Sequence, residues 1–172
     1  MNKKIGIIMG SDSDLPIMKE ACELLEEFEV DYDLQVISAH RTPEVARKYA
    51  LEAEDNDIKA IIAGAGKAAH LPGVIAASTL VPVIGVPIRT STLGGADSLY
   101  SMVQMPGGIP VPTVALNGAK NAALLALQMI AIDDQEIKDK LLSYREKMRD
   151  DVVKTSKKLS KQGYKKYLQE NK

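Results

Sequence analysis

Tryptophan is absent from this 172-residue chain, phenylalanine occurs once and aromatics make up only 4%, so any core must be built mainly from aliphatic side chains. The single cysteine, Cys22, excludes an intrachain disulfide and a cysteine-held zinc site. Beside Ala21 in a helical pattern, it reads as core filler rather than a reactive thiol. There are two histidines, His40 and His70, without cysteine partners, which leaves a structural metal site little support. Neither sign of charge is in excess: 22 basic against 23 acidic residues give a net charge of −1, so the surface has no global attraction for nucleic acid or anionic lipid. No run is long and apolar enough to span a membrane. The first strand starts within a few residues of the beginning, leaving no room for a signal peptide, and a cytoplasmic location is the expectation.

What is present is the balance of a soluble globular domain, 45% hydrophobic and 26% charged, at a length that suits one sizeable core. Short apolar runs alternate with helical segments. Lys4 to Met9 reads as a strand buried on both faces, and Ile17, Met18, Ala21, Leu24, Leu25 and Phe28 recur at helical spacing. Tyr32 to Ile37, Lys59 to Ala63, Val81 to Val86 and Pro112 to Leu116 read as further strands. Helices are expected from Thr42-Pro43 with Thr42 as N-cap, near Pro72, over Asp97 to Gln104 and over Lys120 to Ile132. This alternation predicts an α/β, flavodoxin-like, doubly wound domain over residues 1–132, with a five-stranded parallel sheet covered on both faces. Residues 133–172 read as a charged helical extension, in which Ile137, Leu141, Tyr144, Met148 and Val152 form an apolar stripe and Gly163 breaks the pattern. Such a stripe packs either on its own domain or on a neighbouring subunit.

Ligands of open parallel sheets bind outside the carboxyl ends of the strands. Three loops at that edge carry chemistry. Gly10-Ser11-Asp12-Ser13-Asp14 combines a tight turn, hydroxyls and the N-terminus of the next helix, which suits phosphate; a plain helix cap explains the same residues equally well. Ser38-Ala39-His40-Arg41-Thr42-Pro43 places a guanidinium able to neutralise phosphate beside an imidazole able both to donate and to accept a proton. Gly64-Ala65-Gly66-Lys67-Ala68-Ala69-His70-Leu71-Pro72-Gly73 lets backbone approach a ligand closely. It is not a P-loop, because Ile61 stands where the first glycine belongs and Ala68 where a magnesium-binding hydroxyl belongs. Gly64, Gly66 and Ala69 fit a dinucleotide fingerprint, but the loop sits in the third unit and no acidic residue follows at the required distance. The stretches Pro87 to Asp97 and Met105 to Pro110 read as ordered loops over a site, over an interface, or as plain connections.

Together with Asp97-Ser98-Leu99-Tyr100-Ser101 and Gln104-Met105-Pro106-Gly107-Gly108, these motifs occur in the order and with the spacing of the PurE family, and over residues 3–132 the chain resembles its bacterial 5-(carboxyamino)imidazole ribonucleotide mutases. The resemblance implies a cofactor-free, metal-free homo-octamer that moves a carboxylate from the exocyclic nitrogen of a phosphorylated aminoimidazole riboside to the adjacent ring carbon. It implies His40 as the proton carrier, and Ser11, Asp14 and Arg41 as substrate contacts. The loop ending in His70 would close over the imidazole and its carboxylate. The expected substrate-binding set is Ser11, Asp12, Ser13, Asp14, Ser38, Arg41, Gly66, Lys67, Ala68, His70 and Leu71. Lys67 departs from the family, in which glycine is common there; the lysine either faces solvent, the preferred reading, or adds a charge beside the substrate carboxylate. A sister branch carboxylates the unmodified nucleotide with carbon dioxide, but there lysine commonly follows the first histidine and the third loop lacks the His-Leu-Pro-Gly run, so Arg41 and His70 favour the mutase. A non-catalytic flavodoxin-like binding module fits less well. A receiver needs an aspartate where Gly64 stands, and a flavin carrier needs an uncharged first loop in place of Asp12 and Asp14.

Overall fold

The computed structural model describes residues 3–170, which fall into two compact units, one ending at Ile130 and the other starting at Ala131. In the first unit the elements are β1 (Lys4–Met9), α1 (Leu15–Glu27), β2 (Asp31–Val36), α2 (Pro43–Glu52), β3 (Ile58–Gly66), α3 (Leu71–Ala76), β4 (Val83–Ile88), α4 (Ala96–Val103) and α5 (Ala119–Ile130). A short 3₁₀ turn, Asp12–Asp14, precedes α1. The strands are all parallel, in the order β2-β1-β3-β4. After β2 the chain crosses to the other side of β1, so strand order reverses between β1 and β3. That is where a doubly wound sheet opens a crevice at its carboxyl edge.

The apolar runs behave as strands buried on both faces must: β4 is buried throughout and β1 nearly so. Side chains alternate across the sheet. Ile61, Ala63 and Ala65 of β3 enter one core with Ala46 and Ala50 of α2, Leu71 and Ile75 of α3 and Met102 of α4. On the opposite face Gly64 lies so close to Met18 of α1 that a Cβ there would collide with the thioether, and α5 packs on α1 and β3. Cys22 is buried in α1, as core filler should be.

The sheet has four strands, not the expected five. Pro112 to Leu116 runs beside β4 but makes only one bridge, between Gly85 and Thr113. Gly85 donates to the Pro112 carbonyl (2.9 Å) and accepts from Val114 (3.1 Å). The next rung would need an N–H from Pro87, which has none, and the chain slips so that Asn117 rather than Leu116 donates to the Pro87 carbonyl at 2.9 Å. Proline shifts a second boundary: β4 starts at Val83 rather than Val81 because Pro82 cannot donate, although its carbonyl accepts from Ile61 at 2.8 Å. In the other direction β3 runs on to Gly66, so Gly64 and Gly66 lie on a strand and not in a turn, which removes the dinucleotide reading.

In the second unit Gln135–Glu170 is helical on both sides of Gly163, whose backbone (φ 76°, ψ 160°) leaves helical geometry. Asp134 caps the start by accepting from the Ile137 N–H at 3.1 Å. Ile137 and Leu141 of the stripe are buried, whereas Met148 and Val152 are exposed. Among the described residues no helix is long and apolar enough to cross a membrane.

Candidate active site

The loops after β1, β2 and β3 and the end of β4 surround one cavity of about 700 Å³. Of the residues singled out from the sequence, Ser11, Ser13, Asp14, Ser38, His40, Arg41, Gly66, Lys67, Ala68 and Leu71 line it; Asp12 and His70 do not. Asp12 is exposed, and its carboxylate accepts from the Ser11 hydroxyl at 3.1 Å.

The first loop is folded by its own side chains. Gly10 donates to the Gly64 carbonyl (3.1 Å), tying the loop to the strand across the switch point. The Ser11 hydroxyl caps the 3₁₀ turn by accepting from the Ser13 N–H at 3.3 Å and lies 2.9 Å from the Ser13 hydroxyl. Asp14 is buried, 9% exposed, at the point where α1 begins. Burial pushes its carboxyl above the ordinary value of 3.8, and the nearby Asp12 adds to that, while hydrogen bonds from Ser11 and Ser13 work in the opposite direction.

The second loop is braced around Ser38. Its hydroxyl accepts from the Arg41 N–H (3.2 Å) and from Arg41 Nε (3.3 Å), and Arg41 Nη2 donates to the Gly10 carbonyl at 2.8 Å. Arg41 is therefore locked onto the phosphate-type loop with part of its donor fork still open. Thr42 is the N-cap of α2 and Pro43 its first residue, as read, but the Thr42 side chain makes no capping hydrogen bond: its hydroxyl turns back to donate to the Ser38 carbonyl at 3.0 Å.

These constraints carry His40 towards the third loop. His40 Nε2 lies 3.0 Å from Nδ1 of His70, with the rings edge to face. Which nitrogen donates and which accepts is set by the ring tautomers, so the tautomer of one ring constrains that of the other. His70 thus meets the site through His40 rather than through the cavity wall. Lys67 has a left-handed backbone (φ 56°), the region that glycine enters most easily, and it is exposed at the cavity rim.

The end of β4 supplies Ile88, Arg89, Thr90 and Ser91, which were not among the sequence candidates. The cue was present: Arg89 is a charge directly after an apolar strand, at the same sheet edge that drew attention to Arg41. Among the described residues no group of three or more His, Cys, Asp or Glu is placed to hold a metal ion.

Comparison with known proteins gives the same direction. Residues 4–151 match the family model described as AIR carboxylase. The N5-carboxyaminoimidazole ribonucleotide mutase of Pyrococcus abyssi is 63% identical over 96% of this chain and 95% of its own length. A phosphoribosylaminoimidazole carboxylase of Candida glabrata is 53% identical over 96% of this chain but only 29% of its own. The crystal structure of Treponema denticola PurE superposes with a TM-score of 0.83 at 31% identity, covering 91% of this chain and 98% of that one.

Proposed function

The chain belongs to the AIR carboxylase family, and from that premise we propose that it is a mutase of de novo purine biosynthesis. It converts 5-(carboxyamino)imidazole ribonucleotide to 5-amino-4-carboxyimidazole ribonucleotide. The observation that carries this reading is the cavity itself, where a histidine capable of acid–base work and a braced arginine converge beside a hydroxyl-rich loop. Name and geometry agree: the Pyrococcus abyssi relative, matched along nearly its whole length, bears the mutase name.

The chemistry needs little beyond position and one mobile proton. The exocyclic nitrogen of the carbamate takes up a proton as its bond to the carboxylate breaks, releasing carbon dioxide. The neighbouring ring carbon, made electron-rich by the amine, attacks that carbon dioxide and then loses its hydrogen as a proton. One proton is consumed and one released, so a single imidazole, His40, closes the cycle; acid–base help of this kind is typically worth about 10² to 10⁴ in rate. Holding carbon dioxide beside the ring carbon supplies the positioning term. Ser11, Ser13, Asp14, Ser38 and Arg41 hold the phosphoribosyl end, with the anion at the start of α1. Gly66, Lys67, Ala68 and Leu71 lie over the base, and His70 acts through its contact with His40. No cofactor or metal enters the scheme. We place the enzyme in the cytoplasm as a homo-octamer, in which residues 133–172 pack on their own domain or on a neighbouring subunit.

The Candida glabrata match favours one second reading, direct carboxylation of the unmodified aminoimidazole nucleotide. Turnover of the N-carboxylated nucleotide, compared with that of the uncarboxylated nucleotide plus carbon dioxide or bicarbonate, separates the two. The mutase converts the first rapidly and the second only at unphysiologically high carbon dioxide. Efficient use of the second reassigns the chain as a carboxylase, and activity with neither leaves a binding module.

A further inference from the structure

We propose that Arg89 is a specificity-determining residue that pairs with the carboxylate of the substrate; this rests on the mutase reading above. Arg89 lines the cavity from the end of β4, on the opposite side of β1 and β3 from the loop that carries Arg41. Arg41 is already committed to Ser38 and Gly10, the phosphate side. The Arg89 guanidinium, in contrast, makes no hydrogen bond or ion pair with any described residue. Arg89 is exposed at the cavity wall, so its donors face water and can exchange it for a ligand, and its planar fork matches a carboxylate bidentately.

The backbone at Arg89 is held in place despite the missing fifth strand. Its N–H donates to the side-chain oxygen of Asn117 at 2.8 Å. Asn117 itself sits in a left-handed turn (φ 59°) and donates its own N–H to the Pro87 carbonyl at 2.9 Å. One residue back, the buried Ser98 hydroxyl donates to the Ile88 carbonyl at 2.9 Å. Gly95 lets this segment come close, because a Cβ there would stand 3.1 Å from the Arg89 Cα. Contacts from α4 and from the proline-rich segment thus replace the absent ladder at the point where the arginine leaves the strand.

The substrate carries two anionic groups, a phosphate at one end and a carboxylate at the other. With Arg41 and the start of α1 serving the first, Arg89 serves the second. It then distinguishes a carboxylated nucleotide from the bare one, which a phosphate contact cannot do.

The test is calorimetric binding of two ribonucleotides, the ring-carboxylated product and the uncarboxylated aminoimidazole nucleotide, to the wild type, Arg89→Ala and Arg89→Lys. Loss of a charge-assisted contact predicts that Arg89→Ala binds the carboxylated nucleotide about ten- to a hundredfold more weakly and the bare nucleotide within about twofold of wild type. Arg89→Lys should recover part of the loss. Equal weakening for both nucleotides would make Arg89 a phosphate contact, and no weakening for either would place it outside the site; both overturn the proposal. Failure of the underlying reading has different signatures: a wild type that binds neither nucleotide is no enzyme of this reaction, and a direct carboxylase, which binds both, is recognised by its efficient turnover of the uncarboxylated nucleotide with carbon dioxide.

Discussion

Gly95 offers a stability prediction that can be worked out from geometry. Its φ of 96° lies in the left-handed region, and a built Cβ would meet Leu116 Cδ2 at 2.5 Å and the Arg89 Cα at 3.1 Å. The leucine end can swing aside, but the Arg89 backbone is fixed by Asn117 and cannot. Gly94, its neighbour, has a φ of 64° with nothing within 4 Å of its built Cβ. Alanine in left-handed backbone costs about 1–2 kcal/mol, which both positions share. Alanine also stabilises by about 0.4–1 kcal/mol through the reduced freedom of the unfolded chain, which both share as well. Only Gly95→Ala adds overpacking, about 1–3 kcal/mol. Gly95→Ala is therefore expected to unfold at lower urea than Gly94→Ala, by a margin of about 1–3 kcal/mol. For a chain of this size that margin amounts to roughly 2–12 °C in Tm. Equilibrium urea denaturation at one fixed protein concentration measures it, since an oligomer's apparent stability depends on concentration. If the two variants unfold together, the Arg89 backbone is not the rigid wall described above.

Replacing His40 with Asn should leave the fold and nucleotide binding intact while lowering turnover by about 10² to 10⁴. Circular dichroism, calorimetric binding and a single-turnover assay check this, and near-normal turnover would refute the proton-carrier role. Asp14→Asn should stabilise the protein at neutral pH. Burial raises the Asp14 pKa, so the folded state holds that proton more tightly than the unfolded state. The wild type consequently loses stability as pH rises from the ordinary value of 3.8 through the folded value, a loss the amide variant does not share. Urea titrations of both proteins across that range should diverge with rising pH, and parallel curves would sink the argument.

How much of this was legible in the sequence depends on which force decides each feature. β1 has the bounds that its apolar run predicts, because a strand buried on both faces leaves little ambiguity. The fifth strand was misread because its β-branched residues carry the strand signal while its failure lies in a partner: the missing N–H belongs to Pro87, in another segment. Gly64 and Gly66 looked like loop residues because glycine is usually punctuation, whereas here Gly64 makes room for Met18. The loops holding His40 and Arg41 could be placed at the ligand edge by topology alone. The 3.0 Å approach of His40 to His70 could not, since the two lie on separate loops whose meeting is a tertiary fact. Arg89 falls within the Pro87 to Asp97 stretch read as a loop over a site, an interface or a plain connection, and nothing singles it out there because β4 runs two residues further, to Ile88, than its apolar run predicts.

The irregular closing of the sheet bears on self-association. A strand edge with free N–H and C=O groups is a template, and fibrous assembly needs one at each side of the molecule so that addition can repeat. Here the outer side of β4 is occupied by Pro112, Val114 and Asn117, and its Pro87 has no donor to give. Among the described residues β2 alone presents an unpaired edge. Two copies joined β2 to β2 would use it up, and the ladder would end after one pairing. The prolines that cost the sheet its fifth strand thus also deny it a second sticky side.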